Sequence, residues 1–404
     1  MNFVVRTTFH TLLTGFLTLS LHAQNADSNV VPYARSVVGL MPLAMSDGRN
    51  LIHTRQFYPF EGNAEKRRNA DLSTQTRNVL EFTQQRLRGT RTSLHLALRV
   101  NVYLTRDADR ASVQGQLERF FNNLTPPLTF VTTKLPEPDA KIAMDAIIQT
   151  LDAPDLYKIP EYRFQSPKQG RFGGEMGLLP IGSRIFVSGQ AVRAENVREA
   201  TRKTMAQLGE TLKWLKVEWK DVIHVKSFLN PMEKSEDALQ EIRSFFPSNS
   251  VPPISLVEWQ YRNPIEIELV VAGGHDDPKR PAIEYLTPEG MKASPVYCRV
   301  VRVNRGKLIY TSGIYGAPGK TAEAEVRDIF QELKKSVPVF GSDMKHLVKA
   351  TYYVSDDGVS KALNNLRPDY YAPKRPPAAS KAKVTGTGLA GQKIAIDMIA
   401  VAPR

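Results

Sequence analysis

The stretch RIFVSGQAV, Arg184–Val192, decides how the rest of the chain is read. An apolar run, Ile185-Phe186-Val187, has the β-branched and aromatic character of a strand and stops at Ser188-Gly189-Gln190. The phrase returns as KLIYTSGIY from Lys307, and more faintly as NLIHTRQFY from Asn50. Outward from Gln190, Met205, Leu208, Leu212 and Leu215 recur at helical spacing. DVIHVKSFLN then reads as a strand, and DALQEIRSFF as a second helix with Leu239, Ile242 and Phe246 on one face. A Pro-rich joint, SVPPISLVEW, leads into another strand, and IEIELVVAG closes the unit.

The same order follows the other two phrases. From Lys307 it runs AEVRDIFQELKKSV, HLVKATYYV, a second helix, the joint RPPAASKAKV and the closing strand KIAIDMIAV. From Asn50 it runs TRNVLEFTQQRL, LALRVNVYLT, VQGQLERFF, the joint TPPLTFVTT and KIAMDAII. Each closing strand carries an acid at the matching place: Asp145, Glu268 and Asp397. The period of roughly 120–135 residues is that of a tandem array of whole domains, not of a solenoid. Strand-helix-strand-helix-strand-strand in each unit predicts an α+β layer with its helices on one sheet face. DLYKIPEYRFQSPKQGRFGG and GGHDDPKRPAIEY, rich in Pro, Gly and charge, read as linkers. The expected division is a leader over 1–23 and three domains over 24–150, 151–274 and 275–404, the first the most divergent.

Composition narrows the function. The 404 residues are 42% hydrophobic and 24% charged, ordinary for a globular chain of two or three domains. The net charge of +13 is compatible with an anionic partner, but Lys and Arg are scattered and RNA-binding signatures are missing, so no nucleic acid is expected. Arg6 precedes TLLTGFLTLSL and then HAQ, the pattern of a secretory signal cleaved after Ala23. That run is short for a membrane span. A periplasmic or secreted bacterial protein, with no span after cleavage, is therefore expected. The single cysteine, Cys298, forms no internal disulfide and reads as a small buried hydrophobe in PVYCRVVRV. His53, His95, His224, His275 and His346 lack ligand spacing, so no metal site is expected. P-loop, Rossmann and G-x-S-x-G patterns are absent from the sequence.

Taken in order, LIYTSGI, IFVSGQ, VNVYLT, the Pro-rich joint and the acidic closing strand resemble the Rid, or YjgF, family, three times over. The resemblance implies a chorismate-mutase-like sheet with two helices on one face in each copy. It also implies trimeric packing with ligand clefts between subunits, which three fused copies would meet as an intramolecular pseudo-trimer in a monomer. Fusion would free each cleft to diverge. Catalytic relatives hydrolyse enamines or imines without a cofactor, gripping the substrate carboxylate with an Arg in a P-A-R-S joint. Guanidinium suits that task as a planar, permanently charged fork.

Here the joints read P-P-L-T, P-P-I-S and P-A-A-S, so Leu128, Ile254 and Ala379 stand at the Arg position. Lys381, two residues beyond Ala379 on the same strand face, is a candidate replacement; a solvated Lys is the alternative. Ser188-Gly189 and Ser312-Gly313 stand where the family backbone meets the ligand, and Gly also marks strand bulges. Arg55 replaces the Gly in copy one and either fills its cleft or reaches solvent. Asn364 matches a family pocket position, occupied by Gln114 and Leu239 in the other copies, or is a plain helix-surface residue. Asp397 and Glu268 are candidate bases, while Glu266 and Glu268 also fit an alternating solvent-facing strand. The resulting site is Asp397 and Lys381 as catalytic pair, with Ser312, Gly313, Asn364, Ala379, Ser380, Ser188, Gly189 and Glu268 around a small-molecule ligand, and no cofactor or metal. Three functions fit: a protein binding a small metabolite such as a carboxylate, an enamine/imine deaminase with an altered grip, and a non-catalytic scaffold.

Overall fold

The computed structural model describes residues 33–34, 42–60, 70–90, 92–151, 170–247 and 250–403. The expected leader and the linker up to residue 169 lie outside the described residues. The chain begins with β1 (Tyr33–Ala34) and β2 (Leu43–Met45). Copy one continues through β3 (Leu51–Thr54), α1 (Leu72–Leu87), β4 (Ala97–Leu104), α2 (Arg110–Phe120), β5 (Leu128–Thr132) and β6 (Ile142–Gln149). Next comes β7 (Met176–Leu179). Copy two supplies β8 (Arg184–Gln190), α3 (Val197–Trp214), β9 (Val222–Leu229), α4 (Ser235–Ser244), β10 (Ile254–Glu258) and β11 (Ile265–Ala272). β12 (Ile283–Leu286) and β13 (Val300–Val303) lead to copy three: β14 (Lys307–Thr311), β15 (Ile314–Tyr315), α5 (Ala322–Ser336), β16 (Leu347–Val354), α6 (Asp357–Leu366), β17 (Ala378–Lys383) and β18 (Ile394–Ala402).

The repeated order is the predicted one. Its punctuation repeats too: Asp71, Asn196 and Thr321 cap the first helix of each copy, accepting from the backbone N–H groups of Thr74, Glu199 and Ala324. The segment read as a linker, GGHDDPKRPAIEY, differs in part, because its end forms β12 and pairs with β13. Ile283 and Tyr285 are half-buried there against the core, which explains why the strand forms.

The sheets run β5-β4-β6-β3-β7, β10-β9-β11-β8-β13-β12 and β17-β16-β18-β14-β2-β1, with β15 also on β18. In each, the joint strand is parallel to its neighbour and the other pairings are antiparallel. The strand before each opening phrase leaves its own copy. β7 pairs with β3, β13 with β8, and β2 with β14, so the exchange closes in a ring from copy one back to copy three. Without it β3, β8 and β14 would each present an unpaired edge. The turns that hand the chain between sheets hold Gly48, Gly182 and Gly306, all at positive φ. A Cβ at Gly182 would run into the Gly274 carbonyl, and one at Gly306 into the Val401 side chain.

In copy three, Val326, Ile329, Phe330 and Leu333 of α5 and Val359 and Leu363 of α6 bury against Ala350, Tyr352 and Val354 of β16. The opposite face of β16 carries Lys349, Thr351 and Tyr353, and these are equally buried. β4 and β9 are likewise buried along their whole length. Among the described residues no helix is long and apolar enough to cross a membrane.

Candidate functional site

Polar residues on the helix-free faces meet where the three sheets converge. Arg99 on β4 donates through Nη1 to Asp397 Oδ1 at 2.8 Å, and through its other nitrogens to the carbonyls of Thr311 and Met398. Lys349 on β16 donates to Glu268 Oε2 at 2.7 Å. Asp145 accepts from Asn101 Nδ2, Tyr103 OH and Ser255 Oγ at 2.6, 2.6 and 2.7 Å, and Ser255 also contacts His224 Nε2 at 3.1 Å. The closing acid of each copy is thus bonded from the next copy around the ring. Both ion pairs have side chains under a tenth exposed.

The expectation that Asp397 serves as a base beside Lys381 and Ser312 is corrected here. Asp397 and Glu268 are turned into the junction and held by Arg99 and Lys349. Lys381 and Ser312 lie in two different clefts. The register explains this: residues two apart share a strand face, and the face opposite the helices belongs to the inter-sheet junction along most of its length.

His53 and His224 complete the junction, their ring centroids 5.7 Å apart. Burial, reinforced at His53 by His224 and at His224 by Lys226, lowers both from 6.5 to about 3. Their folded pKa lies below the unfolded one, so the stability they allow is intact above about 6.5 and is lost as pH falls toward 3. Each ring is expected to remove up to about 1.4 kcal/mol per pH unit in that window. Chemical unfolding at about pH 7 and about pH 5 measures it, with a His53→Asn/His224→Asn variant flattening the slope. Equal stability at both pH values would refute the assignment.

Three clefts lie where the end of one copy's opening phrase meets the joint strand of the next. In the first, between copies one and two, Arg55 is buried, with its guanidinium 4.7 Å from the Phe57 ring and 6.0 Å from that of Phe172. Neighbouring Gln56 exchanges two 2.8 Å hydrogen bonds with the Leu256 backbone, and Ile254 is fully buried. Arg55 therefore fills this cleft.

The second, between copies three and one, holds a cavity of about 740 Å³. Ser312 and Gly313 line it opposite Leu128, and the Gly313 N–H donates to the Leu128 carbonyl at 2.9 Å. Arg110 lies between the Phe130 and Tyr315 rings, 4.6 and 4.8 Å from their centroids.

The third, between copies two and three, holds about 560 Å³ and gathers Gly189 and Glu266 from copy two with Ala379, Ser380, Lys381 and Arg367 from copy three. Ser188 acts as a clamp below it, accepting from the Ala379 N–H at 2.8 Å and donating to the Cys298 carbonyl. Lys381 Nζ donates to Ser360 Oγ at 2.8 Å and to Asn364 Oδ1 at 3.1 Å. Asn364 Oδ1 also takes Arg367 Nη2 at 3.0 Å, so Asn364 holds two cations rather than lying free on the helix surface. Burial, then the Arg367 charge, lowers Lys381 from 10.5 to about 8. Burial, then Glu268, raises Glu266 from 4.5 to about 7, against the pull of Ser380, Lys349 and Lys381. Gly189 leaves room for it, because a Cβ there would displace the Glu266 carboxylate from this position.

Of the residues expected from sequence, Gly189, Ala379, Ser380 and Lys381 come together here, and the exposed Asn364 touches the site only through Lys381 and Arg367. Glu266, Arg367, Trp259, Tyr261 and Tyr297 join them unannounced. Glu266 was visible only as the other acid of IEIE, weighed as a solvent-facing residue. The acid positions equivalent to Glu266, two residues before Asp145 and Asp397, are Ala143 and Ala395, so this cleft alone has such a carboxylate.

The sequence profile described as Endoribonuclease L-PSP matches residues 288–402. Protein DfrA of Myxococcus xanthus is 29% identical over 117 residues, covering 27% of this chain and 88% of that protein. A solved member of the YjgF family from Neisseria meningitidis is 24% identical, covers 26% of this chain and 85% of its own, and superposes with a TM-score of 0.23. For a solved member of the YjgF/YER057c/UK114 family from Mycobacterium tuberculosis the figures are 20%, 24%, 85% and 0.22. Each relative spans about one repeat of the tandem array. The matched segment holds YTSGI, the joint and the acidic closing strand of copy three, and with them the third repeat of this chain belongs to the RidA/YjgF family.

Proposed function

We propose that this chain is a single-chain pseudo-trimer that binds a small carboxylate-bearing metabolite between copies two and three and hydrolyses its carbon–nitrogen double bond. The observation that carries the reading is the joint presence of Glu266, Lys381 and Arg367 in one cleft. The cyclic exchange of β2, β7 and β13 and the ring of contacts to the closing acids support the pseudo-trimer. An exported setting belongs to the same proposal, on the Arg6-led apolar N-terminus.

Two cations around the small Ala379 take over the carboxylate grip that Arg supplies in the family joint. Lys381 is the nearer substitute in sequence, and Arg367 supplies the planar fork that Lys lacks. Glu266, poised near neutrality, accepts the proton of a water whose oxygen bonds to the C=N carbon. The proton passes to nitrogen to give a carbinolamine; its hydroxyl proton is then transferred to the amine as the C=O bond forms and the C–N bond breaks, and the products are a 2-oxo acid and ammonia. Asn364 keeps Lys381 and Arg367 from drifting apart.

The test is ammonia release from 2-imino acids generated in solution. Lys381→Ala is expected to raise KM by roughly 10- to 100-fold, the usual weight of a hydrogen bond to a charged group. An unchanged kcat/KM in both Lys381→Ala and Glu266→Gln would overturn the assignment of this cleft.

A further inference from the structure

This inference rests on the cleft assignment above and concerns what fills the rest of that cleft. The cations and Glu266 occupy one side. The remaining lining includes three aromatic side chains, Trp259, Tyr261 and Tyr297, together with the polar Arg262 and Asn263. Trp259 and Tyr261 are edge-to-face, with centroids 5.0 Å apart at 77°, and Phe228 backs Trp259 at 6.2 Å. Trp259 is 3% exposed, and its indole N–H finds no acceptor among the described residues. Tyr261 and Tyr297 are half-buried, so part of each ring remains open to the cleft.

Size argues the same way. Gly189 and Ala379 are small, and the cleft measures about 560 Å³, within the range of roughly 300–1,000 Å³ that suits ligands with a ring system. A three-carbon acid held by Lys381 would leave most of it to water against aromatic walls. In the other open cleft both rings, Phe130 and Tyr315, are covered by Arg110, whereas here Arg299 lies over Tyr297 alone, 4.9 Å from its centroid, and Tyr261 is left without such a cover among the described residues.

We propose that the cleft between copies two and three selects aromatic 2-imino acids, and correspondingly aromatic 2-oxo acids as products. The carboxylate lies at Lys381 and Arg367, and the ring packs among Trp259, Tyr261 and Tyr297. Aromatic pairs prefer offset or edge-to-face contact, and the half-buried Tyr261 and Tyr297 rings offer such contact to an incoming ring while the buried Trp259 holds Tyr261 in place from behind.

The experiment is isothermal titration calorimetry of the full chain with two stable product-like probes, phenylpyruvate and pyruvate. Phenylpyruvate is expected to bind roughly 30-fold more tightly, the gain from burying one ring among aromatic partners. Tyr297→Ala, at a half-buried position, is expected to weaken phenylpyruvate far more than pyruvate and so remove most of that preference. Lys381→Ala is expected to weaken both probes alike. Equal affinity for the two probes, both weakened by Lys381→Ala, would overturn the aromatic preference and leave the carboxylate site standing. Failure of both probes to bind would remove the cleft assignment and this inference with it.

Discussion

Replacing Arg99 with Ala is expected to cost about 3–5 kcal/mol of stability, the usual penalty for leaving one member of a buried ion pair unpaired. Arg99 makes three hydrogen bonds, and its partner Asp397 is 3% exposed, so water cannot readily replace the guanidinium. The contact also joins copy one to copy three, beside the β2–β14 pairing that closes the ring. The measurement is chemical unfolding of wild type, Arg99→Ala, and an Arg99→Met/Asp397→Leu pair. The apolar pair is expected to recover most of the loss, because removing both charges removes the desolvation cost as well. A loss below about 1 kcal/mol in Arg99→Ala would mean that the junction is wetter than its burial indicates, and would count against the proposed pseudo-trimer.

Replacing Glu266 with Gln is expected to lower turnover by about 10²- to 10⁴-fold, the range typical of a positioned acid–base group. The pH profile separates this role from a structural one. Glu266 works as a base only when deprotonated, and its carboxyl is raised to about 7, so kcat/KM rises as pH passes through 7. Lys381 grips a carboxylate only when protonated, and it is lowered to about 8, so kcat/KM falls as pH passes through 8. The wild-type optimum is therefore narrow and lies between those values. Glu266→Gln keeps the alkaline limb and loses the acid limb. An acid limb near 7 persisting in Glu266→Gln would assign the base to another group.

Helix periodicity and strand composition are local properties, so the threefold train of elements is readable from Met205, Leu208, Leu212 and Leu215, or from Ile185-Phe186-Val187, without tertiary knowledge. The acids Asp145, Glu268 and Asp397 could be matched across copies for the same reason, as could the loss of Arg at Leu128, Ile254 and Ala379. The destination of β7 could not. Its hydrogen-bond partner β3 lies more than a hundred residues upstream, and nothing local to Met176–Leu179 distinguishes pairing with β8 from pairing with β3.

The candidate site failed to be legible at the same point. Lys381 and Asp397 stand on consecutive strands of one repeat, β17 and β18, and invite grouping within copy three, but half of each cleft comes from the preceding copy. Glu266 and Glu268 share one strand face and one sequence pattern. One faces a cleft beside Gly189 and the other ends on Lys349, and only the position of a second sheet decides between them. By itself the sequence determined the family, the repeats and the residues absent from the joints, because these depend on order along the chain. The tertiary structure alone decided which polar face is buried, which cleft Arg55 fills and which acid meets Lys381, because burial and hydrogen bonding depend on partners that folding brings in from distant segments.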